Sequence, residues 1–321
     1  MMQRVTIFGA GAWGTAIAQL LADNGHAITM WAKQQKIADE ITLQHTNATY
    51  LPGITLPNNI TATTSIDEAI NGADWLVEAI PVAYLRAQFE RIKKSENFSP
   101  SIPWLLLSKG IEQHSLLLPS ALLDSVFEKD LPKVVLAGPT FAKDLAAGAF
   151  TATMLGSLDN ALLAKAQRLL ENSYFKTYQT NDILGIQVGG AIKNIIALAA
   201  GLAHGAGHGE NMHAFLLTKG FAELTSIIKI YGGQAETSTT LAGLGDLILT
   251  ASSVTSKNFR AGMLLGQGLT REQLLEHLPV LPEGFNTVQS VIELAKLNNA
   301  QLPLCTMVYN CLFNKAPFTI P

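Results

Sequence analysis

A short apolar run, Val5-Thr6-Ile7-Phe8, leads straight into Gly9-Ala10-Gly11-Ala12-Trp13-Gly14, and the residues after it, Thr15 to Ala22, carry no charge and suit a helix. Gly25 offers a helix stop, and His26 to Ala32 reads as a second strand. Strand, GxGxxG, helix, strand narrows the fold more than any other feature of the chain. Gly9 permits the tight turn, Gly11 lets backbone approach a pyrophosphate, and Gly14 lets the helix pack on the strand, with the helix N-terminus facing the phosphates. The end of the second strand selects between dinucleotides. An acid there would bind a ribose 2′-hydroxyl, and a basic residue accommodates a 2′-phosphate. The chain has Trp31-Ala32-Lys33 and no acid before Asp39. Lys33 therefore leans toward NADP, with an exposed helix-start lysine as the equal alternative.

The α/β alternation continues. Ser65-Ile66-Asp67-Glu68 is a capping-box pattern. Asp74–Ile80, Pro103–Ser108 and Lys133–Ala137 read as strands, with Ala149–Leu155 and Tyr174–Thr180 as extra strands around an Asn160–Glu171 helix. Lys109 and the Gly138-Pro139-Thr140-Phe141-Ala142 stretch fall just beyond strand ends, where ligands bind in a doubly wound sheet.

From Ile183 on the β signals fade. Ile183 to Gly201 is nearly all apolar yet carries Lys193 and Asn194 at its centre. An ammonium in such a helix either snorkels to the surface or serves chemistry. Gly189 and Gly190, one turn earlier, imply close approach by something else, with substrate or nicotinamide as the candidate. Helices are expected over Met212–Tyr231, Gly262–Leu264, Arg271–His277, Thr287–Leu297 and Pro303–Leu312. His204 and His208 are placed in a glycine-rich loop without a third ligand, which argues against a metal site. Asp246 is an acid among small and apolar residues. Ser256-Lys257-Asn258-Phe259-Arg260 gathers groups suited to a phosphate or carboxylate, or forms a solvated basic turn.

At 321 residues, 48% hydrophobic and 15% charged, the chain has enough apolar residues for two cores. The domains are expected at 1–182 and 183–321. A net charge of -3 gives no nucleic-acid footprint. Cys305 and Cys311 form no CxxC pair and read as reduced thiols of a cytoplasmic protein. Lys193 and Asn194 argue against a membrane span, so no stable membrane insertion is expected.

GAGAWGTA, Asn47-Ala48-Thr49-Tyr50-Leu51-Pro52, SKGI at Ser108, AGPTFA at Ala137, VGGAIKN at Val188, LAGLGDL at Leu241, SKNFRAG at Ser256, LLGQG at Leu264 and PEG at Pro282 run in order through almost the whole chain. With these pieces the chain resembles the bacterial NAD(P)-dependent sn-glycerol-3-phosphate dehydrogenase family. The resemblance implies an α/β N-terminal Rossmann-like doubly wound sheet plus an all-α C-terminal domain, in a cytoplasmic homodimer. It implies hydride transfer between NAD(P)H and dihydroxyacetone phosphate, giving sn-glycerol 3-phosphate for glycerophospholipid synthesis. By resemblance Lys193 is the general acid/base, with Lys109 and Asp246 beside it. Lys109, Gly138, Thr140, Lys193, Asp246, Ser256, Lys257 and Asn258 fall at substrate positions. Gly9, Gly11, Ala12, Trp13, Gly14, Lys33, Lys109, Ala142, Lys257, Leu281 and Glu283 fall at cofactor positions. Four positions depart from the family pattern: Ala12 and Thr140 stand for serines, Gln187 for a glutamate, and Lys257 for an arginine, which loses a bidentate fork. Two other readings compete: a Rossmann-plus-helical dehydrogenase of a hydroxy acid or ketopantoate-like substrate, and a catalytically silent NADP(H)-binding regulator.

Overall fold

The computed structural model describes residues 1–278 and 280–321. The chain forms two compact units. One takes Met1–Ser108, Ser120–Leu136 and Thr140–Ile183; the other takes Lys109–Pro119, Ala137–Pro139 and Leu184–Pro321.

The first unit is built on a sheet of β1 (Arg4–Phe8), β2 (Ala27–Trp31), β3 (Ile60–Thr63), β4 (Trp75–Glu78), β5 (Trp104–Leu106), β6 (Lys133–Ala137), β7 (Thr151–Gly156) and β8 (Phe175–Thr180), in the order β3-β2-β1-β4-β5-β6-β7-β8. Strands β3 to β6 pair in parallel along that order, as do β7 and β8. The order reverses between β1 and β4, where Phe8 lies opposite Glu78. Such a switch point opens a crevice at the strands' carboxyl ends. Helices α1 (Ala12–Asp23), α2 (Gln35–Asp39), α3 (Ile66–Ile70), α4 (Leu85–Lys93), α5 (Pro119–Phe127), α6 (Ala142–Ala146) and α7 (Asn160–Leu170) accompany the sheet. Strand β3 escaped the sequence reading. Its Ile-Thr-Ala-Thr is short, lies at the sheet edge and holds one buried side chain, so it has no apolar run to detect.

The second unit is helical: α8 (Ile183–Gly205), α9 (Glu210–Ile230), α10 (Asp246–Ala251), α11 (Lys257–Gly266), α12 (Arg271–His277), α13 (Gly284–Leu297) and α14 (Pro303–Phe313). Helix α8 is long and apolar enough to cross a bilayer, but its side chains are buried inside the protein. Two expectations need correction. His204 lies in the last turn of α8 rather than in a loop. Helix α11 begins at Lys257, not Gly262, because the Ser256 hydroxyl caps it by accepting from Phe259 N. The cluster from Ser256 to Arg260 is therefore a helix start, not a turn.

Helices α8 and α11 meet backbone to backbone. A Cβ on Gly201 would strike the Phe259 carbonyl, one on Gly205 the Met263 carbonyl, one on Gly262 the Leu198 carbonyl and one on Gly266 the Leu202 carbonyl. Glycines four residues apart on both helices thus allow an approach that alanine forbids. Gly201→Ala should cost about 1–3 kcal/mol through overpacking. Adding Gly262→Ala should cost less than the sum of the single effects, since the helices are already forced apart. Urea unfolding of the two single variants and the double variant measures both quantities; strict additivity would refute the shared contact.

Candidate active site

Gly189 of α8 has the same function one stage earlier. A Cβ there would meet the Ala242 carbonyl, so its absence lets the Leu241–Gly245 turn lie against α8. Asp246 follows that turn directly, and Lys193 projects from α8 one helical turn after Gly189. The result is a contact between the Lys193 ammonium and Asp246 Oδ1. Gly190 makes room for Lys109, whose Cγ and Cδ would lie 3.3 Å from an added Cβ. Lys109 Nζ donates to Asp246 Oδ2 at 2.7 Å and to the Gly138 carbonyl at 2.9 Å. The neighbours that require these glycines are thus the protein's own Ala242 backbone and Lys109 stem, rather than the substrate or nicotinamide expected from sequence.

One fully buried carboxylate therefore holds two ammoniums, one on each oxygen, with the Thr250 hydroxyl 3.4 Å from Oδ1. Burial lowers the Lys193 pKa to about 7; the Asp246 charge opposes the fall and the Lys109 charge adds to it. Asn194, next to Lys193, accepts from Asn258 Nδ2 at 2.9 Å, while Asn258 Oδ1 accepts from Gly284 N at 3.1 Å. Asn258 thus ties α8, α11 and α13 together.

Lys193, Lys109, Asp246 and Gly138 come together. Ser256 is buried at its cap, and Lys257 is exposed beside it at the start of α11. Leu281 and Glu283 are half-buried before α13. In the first unit, Thr140 and Ala142 are half-buried after β6, and Lys33 is exposed two residues beyond β2. Sequence reading did not assign Asn194 or Thr250 a place in the site. Asn194 adjoins the lysine, and Thr250 follows Asp246 by one helical turn, which is the only signal either gives.

The Gly9–Gly14 loop has the shape a pyrophosphate requires. Gly9 has φ 114°, open to glycine and strained for other residues. A Cβ on Gly14 would strike the Gly9 carbonyl, whereas nothing lies within 4 Å of one on Gly11. Gly11 also caps α1 without a side-chain hydrogen bond, leaving that helix N-terminus to an anion.

The profile of the NAD-dependent glycerol-3-phosphate dehydrogenase N-terminus matches residues 4–163, and that of the C-terminus matches residues 182–320. The chain belongs to the NAD-dependent glycerol-3-phosphate dehydrogenase family. A glycerol-3-phosphate dehydrogenase [NAD(P)+] of Bacillus cereus (strain B4264) is 39% identical over 321 residues, covering 98% of this chain and 92% of that protein. The crystal structure of a glycerol-3-phosphate dehydrogenase from Coxiella burnetii superposes with a TM-score of 0.94 at 28% identity, covering 98% of this chain and 96% of that one. A ketopantoate reductase from Ralstonia eutropha shares the fold alone, with a TM-score of 0.65 at 14% identity over 96% of this chain and 97% of that one.

Within this family member, Asp246→Asn should be strongly destabilising. It strands two ammoniums, and breaking a buried pair costs about 3–5 kcal/mol. Lys193 has a folded pKa below its unfolded value, so between about 7 and 10.5 the unfolded chain binds more protons and this residue makes stability rise with pH. Lys193→Met should remove that rise. Urea unfolding of wild type and both variants across the window measures each effect; a loss under about 1 kcal/mol for Asp246→Asn would contradict the arrangement.

Proposed function

We infer that this chain catalyses the NAD(P)H-dependent interconversion of dihydroxyacetone phosphate and sn-glycerol 3-phosphate, supplying the latter for glycerophospholipid synthesis. The observation that carries the catalytic assignment is the buried lysine of α8, held by Asp246 and lowered to about 7. The first compact unit serves as the dinucleotide-binding domain and the second as the substrate domain; the second takes Lys109–Pro119 and Ala137–Pro139 besides Leu184–Pro321.

Gly9, Gly11 and Gly14 would hold the pyrophosphate, with Ala12 and Trp13 at the α1 N-terminus and Ala142 among the cofactor contacts of the same unit. When bound, the reduced nicotinamide supplies the hydride. Negative charge then develops on the substrate carbonyl oxygen, and Lys193 gives it a proton. In the opposite direction Lys193 takes that proton back, and a pKa near neutrality suits both tasks. Asp246 orients the Lys193 ammonium. Lys109 adds positive charge, and its hydrogen bond to Gly138 fixes its own position. Ser256, Lys257 and Asn258 would bind the rest of the substrate, with Lys257 at the start of α11 meeting its phosphate. The second amide hydrogen of Asn258 is available for this, since the first goes to Asn194. Binding energy from the phosphate, remote from the reacting carbon, helps to place the carbonyl.

Lys33 would meet a 2′-phosphate, giving a preference for NADP over NAD. The protein would be a cytoplasmic homodimer, with a light-scattering mass twice that of the chain.

Lys193→Ala should lower kcat by about 10² to 10⁴ while NADPH binding is retained. The wild-type kcat/KM for dihydroxyacetone phosphate should fall as pH rises through about 7, where Lys193 loses the proton it must donate. Glycerol 3-phosphate oxidation should rise over the same interval. A variant that keeps most of its kcat would remove Lys193 from the chemistry. Lys33→Ala should reduce the ratio of kcat/KM for NADPH to that for NADH, and an unchanged ratio would remove Lys33 from the 2′-phosphate site.

A further inference from the structure

A buried acid stands at the carboxyl end of β4 that the reaction does not use. Glu78 is fully buried, beside Phe8 of β1 and Leu106 of β5, at the point where the sheet order reverses. Ile80 N donates to its Oε1 at 2.5 Å, and Ser108 N donates to its Oε2 at 3.2 Å. The Ser108 hydroxyl lies in hydrogen-bond contact with both Glu78 Oε1 and the Ile80 carbonyl.

Counting hydrogens decides the state of the carboxyl. A serine hydroxyl has one hydrogen to give. With Glu78 ionised, Ser108 Oγ faces two acceptors, and one of those close contacts is lone pair against lone pair. With Glu78 protonated, its O–H donates to Ser108 Oγ, Ser108 donates to the Ile80 carbonyl, and each contact has its hydrogen. Burial acts in the same direction, raising the Glu78 pKa to about 7 against hydrogen bonds from Ser108 and from backbone amides.

This network holds both polar backbone groups of Ile80, and through them the residue before it. Ala79 N donates to the Phe8 carbonyl at 2.9 Å. A Cβ on Gly9 would strike the Ala79 carbonyl, and one on Gly14 would come within 3.2 Å of the Ala79 Cβ. Ala79 is thus the surface on which the glycine loop rests.

We propose that Glu78 is a positioning residue which, as a neutral carboxylic acid donating to Ser108, holds Ala79 and Ile80 against the glycine loop and thereby sets dinucleotide affinity. This rests on that loop being the NAD(P) site. Among the described residues, the groups that face Glu78 are uncharged: Phe8 from β1, Leu106 with Leu107 and Ser108 from β5 and the residues after it, and Ile80 from its own loop. Ionisation of Glu78 opposes the network, so affinity falls as pH rises.

The test combines infrared spectroscopy with fluorescence titration of NADPH on wild type, Glu78→Gln and Ser108→Ala. The wild-type minus Glu78→Gln infrared difference at about pH 6 should contain the carbonyl band of an un-ionised carboxylic acid, lost by about pH 9. Wild-type affinity should weaken several-fold over the same interval. Glu78→Gln should show no pH step, because its amide does not ionise; with its nitrogen toward Ser108 it donates there but no longer accepts from Ile80 N, so it should bind more weakly than wild type at low pH. Ser108→Ala should bind about tenfold more weakly, with little pH step. Absence of the acid band, or persistence of the pH step in Glu78→Gln, would overturn the proposal. A wild-type protein that binds no NADPH at any pH would overturn it by removing the dinucleotide site, while the infrared band would still report the proton. Failure of dihydroxyacetone phosphate to oxidise bound NADPH would count against the substrate alone.

Discussion

One carboxylate shared by two ammoniums organises the helical unit. Asp246 is fully buried, and an isolated charge there would be prohibitively costly. Lys193 on one oxygen and Lys109 on the other resolve that cost but leave the trio with one positive charge in excess. An excess charge in a low-dielectric site is relieved by releasing a proton. Lys109 also donates to the Gly138 carbonyl and is the less buried of the two, with side-chain exposures of 16% and 8%. Lys193 is the deeper partner, and its proton is the one placed for exchange with a reacting group.

Such an arrangement tolerates little backbone error, and the glycines supply the precision. Gly189 admits the turn that carries Asp246, Gly190 admits the stem of Lys109, and Gly201 and Gly205 fix α8 against α11. Through Asn258 the start of α11 is then bonded to Asn194, the residue after the lysine. The glycines of α8 are therefore points of close approach in two groups, Gly189 with Gly190 before Lys193 and Gly201 with Gly205 one turn apart after it. Their effect is to hold one face of the helix to its neighbours with backbone accuracy, where side chains would leave rotamer freedom.

Much of this was legible in the sequence because it rests on local patterns. The glycine loop announces itself by the strand before and the helix after it, and the apolar α8 shows its one charge by contrast. Lys193, Lys109 and Asp246 could be picked out as unusual, but their convergence could not. Residues 109 and 246 are brought together by the packing of separate elements, and spacing along the chain does not encode that. Ser256 to Arg260 misled for a related reason. Their charge suggests a turn, whereas the Ser256 hydroxyl, by satisfying Phe259 N, starts a helix. Strand β3 was invisible because an edge strand draws its stability from a partner ladder instead of from its own apolar residues.

Glu78 and Asp246 are both fully buried acids, and they differ in the charge of the groups around them. Asp246 has two cations at hydrogen-bonding distance, one on each oxygen. Among the described residues, Glu78 meets neutral donors and one hydroxyl that cannot serve two acceptors. Under those conditions the cheaper state of a buried carboxyl is the protonated one. A neutral acid is useful as a hydrogen-bond donor, and the backbone it holds is the support of the glycine loop. The sequence presents both as single acids in apolar runs. What separates them is the company each keeps after folding: charge for Asp246, backbone and a hydroxyl for Glu78.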